Sequence, residues 1–198
     1  MNIDEMLLKQ AKELLSVMDD ACDDSLPKDV AEIVKFHAKG ATAAALASAW
    51  IPGAGGTAAI AACAGFIWTM YGRIGSKINL PISSNILKTL AFGVATNLAS
   101  AAVGSLAIST ALSFIPGLGS IGASVIMGGV CYAMTIASGF VFLKTMTALF
   151  TSGVDPTKAT EQELQGAAKQ AASSNDVSDV LRQAKSEFKS KKAQGEFK

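Results

Sequence analysis

The side chains that could do chemistry are few and scattered. His37 is the one histidine of the chain, so a zinc site needing several His or Cys ligands has no partners for it. It reads as a helix-face residue. The three cysteines, Cys22, Cys63 and Cys131, are odd in number and widely spaced, which does not suggest a disulfide framework. Cys63 and Cys131 lie in apolar stretches and read as small hydrophobes. Cys22 stands beside aspartates, whose charge disfavours the reactive thiolate. Asp19, Asp20, Asp23 and Asp24 are the densest acidic cluster. They lack the glycine and closing glutamate of a calcium loop and read as a solvated helix end. Gly53-Ala54-Gly55-Gly56-Thr57 has glycines ahead of a helix, as phosphate loops do. It has no lysine and sits between two apolar segments, so it reads as a turn. A Ser/His/Asp triad has no support with one histidine and no positioned motif. The expectation is a non-enzymatic protein with no catalytic, cofactor or metal residues.

The elements that must position anything are set by an unusual charge pattern. Residues 1–39 carry nine acids and five bases, and residues 155–198 carry seven and eight. Residues 40–154 carry only Arg73, Lys77, Lys88 and Lys144, with no acid between Glu32 and Asp155. Charged side chains normally mark faces that meet water. Two uncharged runs, Gly40–Gly72 and Thr89–Leu143, therefore suggest lipid or a deeply shared interior. Net charge is +1, which gives no nucleic-acid signal. The acidic start, Met-Asn-Ile-Asp-Glu, does not resemble a Sec-type signal.

Each run is broken once by a similar turn, Ile51-Pro52-Gly53-Ala54-Gly55 and Ile115-Pro116-Gly117-Leu118-Gly119. Ala47–Gly75 aligns with Ala111–Gly139 at an offset of 64 residues. This predicts an all-α chain: two apolar helical hairpins, related as a pseudo-repeat, flanked by amphipathic polar helices. Residues 1–39 form an N-terminal amphipathic segment, with Ile3, Met6, Leu7, Leu14, Leu15 and Met18 at helical spacing. Residues 40–150 form the two-hairpin core, and 151–198 a polar helical tail. The second apolar helix is expected from Thr57 to about Gly72, the third from Ser84 or Asn85 to Phe114, and the fourth from about Ser120 to Phe150. Thr160 and Glu163 have capping-box spacing. Val177, Val180, Leu181, Ala184 and Phe188 trace one side of a last helix.

A membrane span takes ~20 apolar residues. The third and fourth helices are long enough, and the first hairpin is shorter and reads as re-entrant or interfacial. Lys39, Arg73, Lys77, Lys88 and Lys144 avoid both turns, as the positive-inside tendency expects of a cytoplasmic face. The same placement suits the solvated end of a soluble bundle. Gly93, Asn97, Ala101 and Ser105 recur every four residues, as do Gly129, Ala133 and Ala137. Such small-residue faces let helices pack closely.

The middle of the chain, residues 40–150, resembles the YcjF-like family of GTPase-associated membrane domains. The resemblance rests on Ile51-Pro52-Gly53 after a helix, Tyr71-Gly72 closing the next, and Ile115-Pro116-Gly117-Leu118-Gly119 before a final apolar helix. It implies a bacterial, membrane-associated helical module without transferable catalytic residues. The phosphate-loop motif Gly-x-x-x-x-Gly-Lys-Ser/Thr is missing from the chain. The expected function is an anchor, scaffold or oligomerisation module in the bacterial inner membrane, with both termini cytoplasmic. Its expected partners are the lipid bilayer, further copies of itself and a cytoplasmic protein. Two alternatives stand beside it: a pore-forming or toxin-like effector that inserts the 89–143 hairpin, secreted without a Sec signal, and a soluble α-helical interaction module.

Overall fold

The structure, a computed structural model, describes residues 28–48, 55–104 and 119–195. Six helices account for most of them: α1 (Lys28–Ser48), α2 (Gly55–Lys77), α3 (Ser84–Gly104), α4 (Gly119–Thr151), α5 (Glu161–Ala172) and α6 (Asn175–Ala193). The N-terminal segment with its acidic cluster and Cys22, both Ile-Pro-Gly turns, and the expected continuation of α3 to Phe114 lie outside the described residues.

Helix α1 runs unbroken across the change from polar to apolar composition at residues 39–40. That change is therefore one of surface, not of backbone. Val30, Val34, Ala38, Ala41 and Ala45 follow helical spacing and are all buried.

Helix α2 continues beyond the Gly72 boundary expected from sequence, because its last turns remain amphipathic. Ile74 is buried while Arg73, Ser76 and Lys77 meet solvent. Its stop comes at Asn79, whose φ of 56° is left-handed. The Leu80 amide donates to the Gly75 carbonyl at 2.8 Å and the Asn79 amide to Ser76 at 3.4 Å. These two bonds satisfy carbonyls that a helix end otherwise leaves open. Helix α4 ends in the same way. Gly153 has φ 79°, and Val154 and Gly153 donate to Leu149 and Phe150 at 2.9 and 3.0 Å.

The tail is part of the core. Thr160 and Glu163 form the full reciprocal capping box at the start of α5. Leu164, Ala168 and Ala171 of α5 are buried, as are Val177, Val180, Leu181, Ala184 and Phe188 of α6. Helix α4 packs against each of the other five helices. Every residue from Gly128 to Phe142 is buried, so this stretch of α4 is apolar on all sides because none of its sides faces water.

Candidate functional site

The feature that stands apart from an ordinary bundle is this central helix. Among the described residues one stretch, Met127–Thr151, is long and apolar enough to cross a bilayer. It is also mostly enclosed by the rest of the chain. At its upper end the enclosing helices come close because α4 carries glycine. A methyl group on Gly129 would come within 2.8 Å of Phe188 Cδ1, and one on Gly128 within 3.0 Å of Leu46 Cδ2. Lower down, a methyl on Gly139 would meet Val34 Cγ2 at 3.1 Å. Small residues thus let α1 and α6 lie against α4.

Helix α2 locks to α4 through side chains. Tyr71 is fully buried and donates its hydroxyl to the Ser138 carbonyl at 3.0 Å. Its ring stacks on Phe142 with centroids 4.5 Å apart. About two turns away, Cys63 and Cys131 face each other across the same interface. Cys63 Sγ lies 3.8 Å from the Cys131 carbonyl and 3.7 Å from Thr135 Oγ1. Cys131 Sγ lies 3.7 Å from the Ala59 carbonyl.

Helix α6 runs antiparallel beside α4. Asp176, in its first turn, accepts a 2.8 Å hydrogen bond from Lys144 Nζ. At its far end, Phe188 packs on Gly129 and on the Tyr132 ring, 5.8 Å between centroids. Between these two contacts the outer side of α6 carries the Asp179–Arg182 ion pair. A polar surface is therefore laid along the middle of the bilayer-length stretch.

Arg73, Lys77 and Lys88 of the expected basic face gather where α2 ends and α1 and α3 begin. Lys77 pairs with Asp29. The Arg73 guanidinium stands 5.3 Å from the centre of the Phe36 ring, and Lys88 Nζ stands 5.6 Å from that of Trp68. Lys39 is exposed on α1. An open groove runs between α1, α2 and the connection to α3, with Asp29, Glu32, Phe36, Trp68, Arg73 and Lys77 on its walls. Phe36 is 63 % exposed there. Beneath it His37 is buried, its Nδ1 2.6 Å from the Ile33 carbonyl. Burial holds its pKa below the ordinary 6.5, the Ile33 bond opposes this, and the Arg73 charge adds to it.

The small residues expected to pack helices divide between two fates. Gly129, Ala133 and Ala137 are buried in α4. Gly93 and Asn97 are exposed on α3, and a methyl on Gly93 would touch nothing. Ala101 belongs to the last turn of α3, and Ser105 lies outside the described residues. Gly55 and Gly119 open α2 and α4, while Ile51, Pro52, Gly53, Ile115, Pro116 and Gly117 lie outside. Among the described residues no group of three His, Cys, Asp or Glu could hold a metal ion.

Two relationships escaped the sequence reading. The Cys63–Cys131 pairing had a signal in the repeat: their separation of 68 residues is the repeat offset plus one helical turn. The seating of Phe188 on Gly129 joins the tail to the core and had none. Compared with family models, with curated proteins and with solved structures, the chain matches none.

Proposed function

We propose that this chain is a non-enzymatic membrane module that carries a bilayer-length helix in a sheathed form and inserts it when the sheath parts. The observation that carries the reading is α6 lying along Met127–Thr151 with Asp179 and Arg182 on its outer side. A chain fixed across a membrane in this arrangement would place those charges beside the hydrocarbon core. Each charge at the bilayer centre costs ~2.5–3.5 kcal/mol on insertion scales. Moving α6 aside removes that cost and frees the apolar surface of α4 for lipid. The cluster of Arg73, Lys77 and Lys88 at one end suits contact with anionic headgroups, and the resemblance to a membrane-associated bacterial family supports the same reading. Helix α3, next to α4, is the natural companion in the inserted hairpin.

Vesicle flotation tests it. Purified protein, wild type and with Lys144→Ala and Phe188→Ala combined, is mixed with vesicles containing anionic lipid and floated on a density gradient. The variant is expected to float far more than wild type and to resist carbonate extraction. Equal absence of both from the lipid layer would sink the proposal. A second reading is favoured by the complete burial of Gly128–Phe142: a soluble interaction module whose apolar helix is simply its core. Under that reading the variant loses stability without gaining lipid.

A further inference from the structure

We propose that Cys63 and Cys131 form a redox-reversible disulfide that ties α2 to α4. Two geometric facts carry this. Both thiols are fully buried, and both are free. Each sulfur reaches across the interface to the partner helix: Cys63 Sγ lies 3.8 Å from the Cys131 backbone oxygen, and Cys131 Sγ lies 3.7 Å from the Ala59 backbone oxygen. Two thiols that each reach the backbone beside the other, on adjoining helices, are placed for the approach a disulfide needs, which requires Cα atoms within ~7 Å and Cβ atoms at roughly 4 Å. Ala59 and Ala64, buried beside Cys63, keep this part of α2 slim enough for that approach.

The chemistry needs an external two-electron oxidant, here a small disulfide such as oxidised glutathione. In a transient opening of the α2–α4 contact, one cysteine loses its proton to water and attacks the small disulfide. A mixed disulfide forms and one small thiolate leaves. The second cysteine loses its proton and attacks the protein sulfur of that mixed bond, expelling the second small thiolate. The protein is oxidised by two electrons, the small disulfide is reduced to two thiols, and the two cysteine protons end on them. Because both sulfurs are enclosed, the rate is set by how often the contact opens. Once formed, the bond spans a loop of some 70 residues, which restricts the unfolded chain strongly. It also keeps α2 on α4, and so holds closed one side of the enclosure around the central helix. The bond itself does not depend on the membrane reading.

The test uses the full chain with Cys22→Ala, which removes the third thiol. The folded protein is incubated with oxidised glutathione in urea too dilute to unfold it. It is then denatured, alkylated and analysed by intact mass and peptide mapping. The expected result is a species that has lost two hydrogen atoms, takes up no alkylating agent and yields a peptide joining Cys63 to Cys131. Its thermal midpoint rises by several degrees and returns on reduction. Glutathione retained on either cysteine without the joined peptide, or both thiols still alkylated, would overturn the proposal. So would a joined species that melts below the reduced protein, since the bond would then strain the contact rather than fasten it.

Discussion

Lys144 of α4 and Asp176 of α6 meet at 2.8 Å where the two helices are closest to the basic end of the bundle, with 16 % and 26 % of their side chains exposed. The pair is half-enclosed, which places it between a surface ion pair of ~0–1 kcal/mol and a buried pair whose breaking costs ~3–5 kcal/mol. Asp176 also sits in the first turn of α6, where a negative charge is favourable. Replacing Asp176 by Asn is expected to lower stability by ~1–2 kcal/mol, read by urea unfolding. High salt is expected to shrink the wild-type advantage only partly, because the enclosure limits screening.

The opposite anchor of α6 is steric. Phe188 is 3 % exposed, and Phe188→Ala is expected to cost ~3–5 kcal/mol. Gly129→Ala puts a methyl where the Phe188 ring now lies, an overpacking cost of ~1–3 kcal/mol. The double variant is expected to be more stable than the sum of the two single losses, because the shortened residue 188 leaves room for the methyl. A double-mutant cycle by chemical denaturation measures this coupling. Strict additivity would mean that Phe188 does not rest on Gly129.

His37 should make stability depend on acid. Its folded-state pKa is lowered, chiefly by burial, with Arg73 contributing. The unfolded chain therefore binds a proton at a pH where the folded chain does not. The stabilisation is fully present above the ordinary value of 6.5 and is lost as pH falls from there toward the folded value. Thermal midpoints measured from about pH 7.5 to about pH 5 are expected to drop for wild type, and to drop less for His37→Gln. Identical slopes would show that His37 carries none of the effect.

Tyr71 is expected to matter more for its ring than for its hydroxyl. Tyr71→Phe removes one buried hydrogen bond to Ser138 and should cost ~1 kcal/mol. Tyr71→Ala also removes the stack on Phe142 and opens a cavity, costing ~3–5 kcal/mol. Both are read from unfolding midpoints.

How much of this was visible in the chain follows from which forces are local. The all-helical class and the buried side of α6 came from spacing alone, since Val177, Val180, Leu181, Ala184 and Phe188 repeat with the helix period. The Thr160–Glu163 box is a contact within four residues and reads directly. The length of α2 was underestimated because Gly72 resembles a stop, whereas tertiary burial of Ile74 carries the helix on to Lys77. The exposure of Gly93 and Asn97 was hidden for a different reason. Small residues at four-residue spacing describe a smooth face equally well whether or not a neighbour covers it. Charge-free sequence likewise could not separate a helix built for lipid from one enclosed by five others. The packing of α5 and α6 on α4 shows that the helix is enclosed within the chain.

Hydrogen exchange on α4 and α6, with and without anionic vesicles, addresses the sheath itself. Addition of vesicles should strip protection from the backbone amides of α6 while Met127–Thr151 stays protected, as a helix passing from a protein enclosure into lipid would. If α6 and α4 keep the same protection in the presence of bound vesicles, the sheath does not part, and the central helix is a core and nothing more.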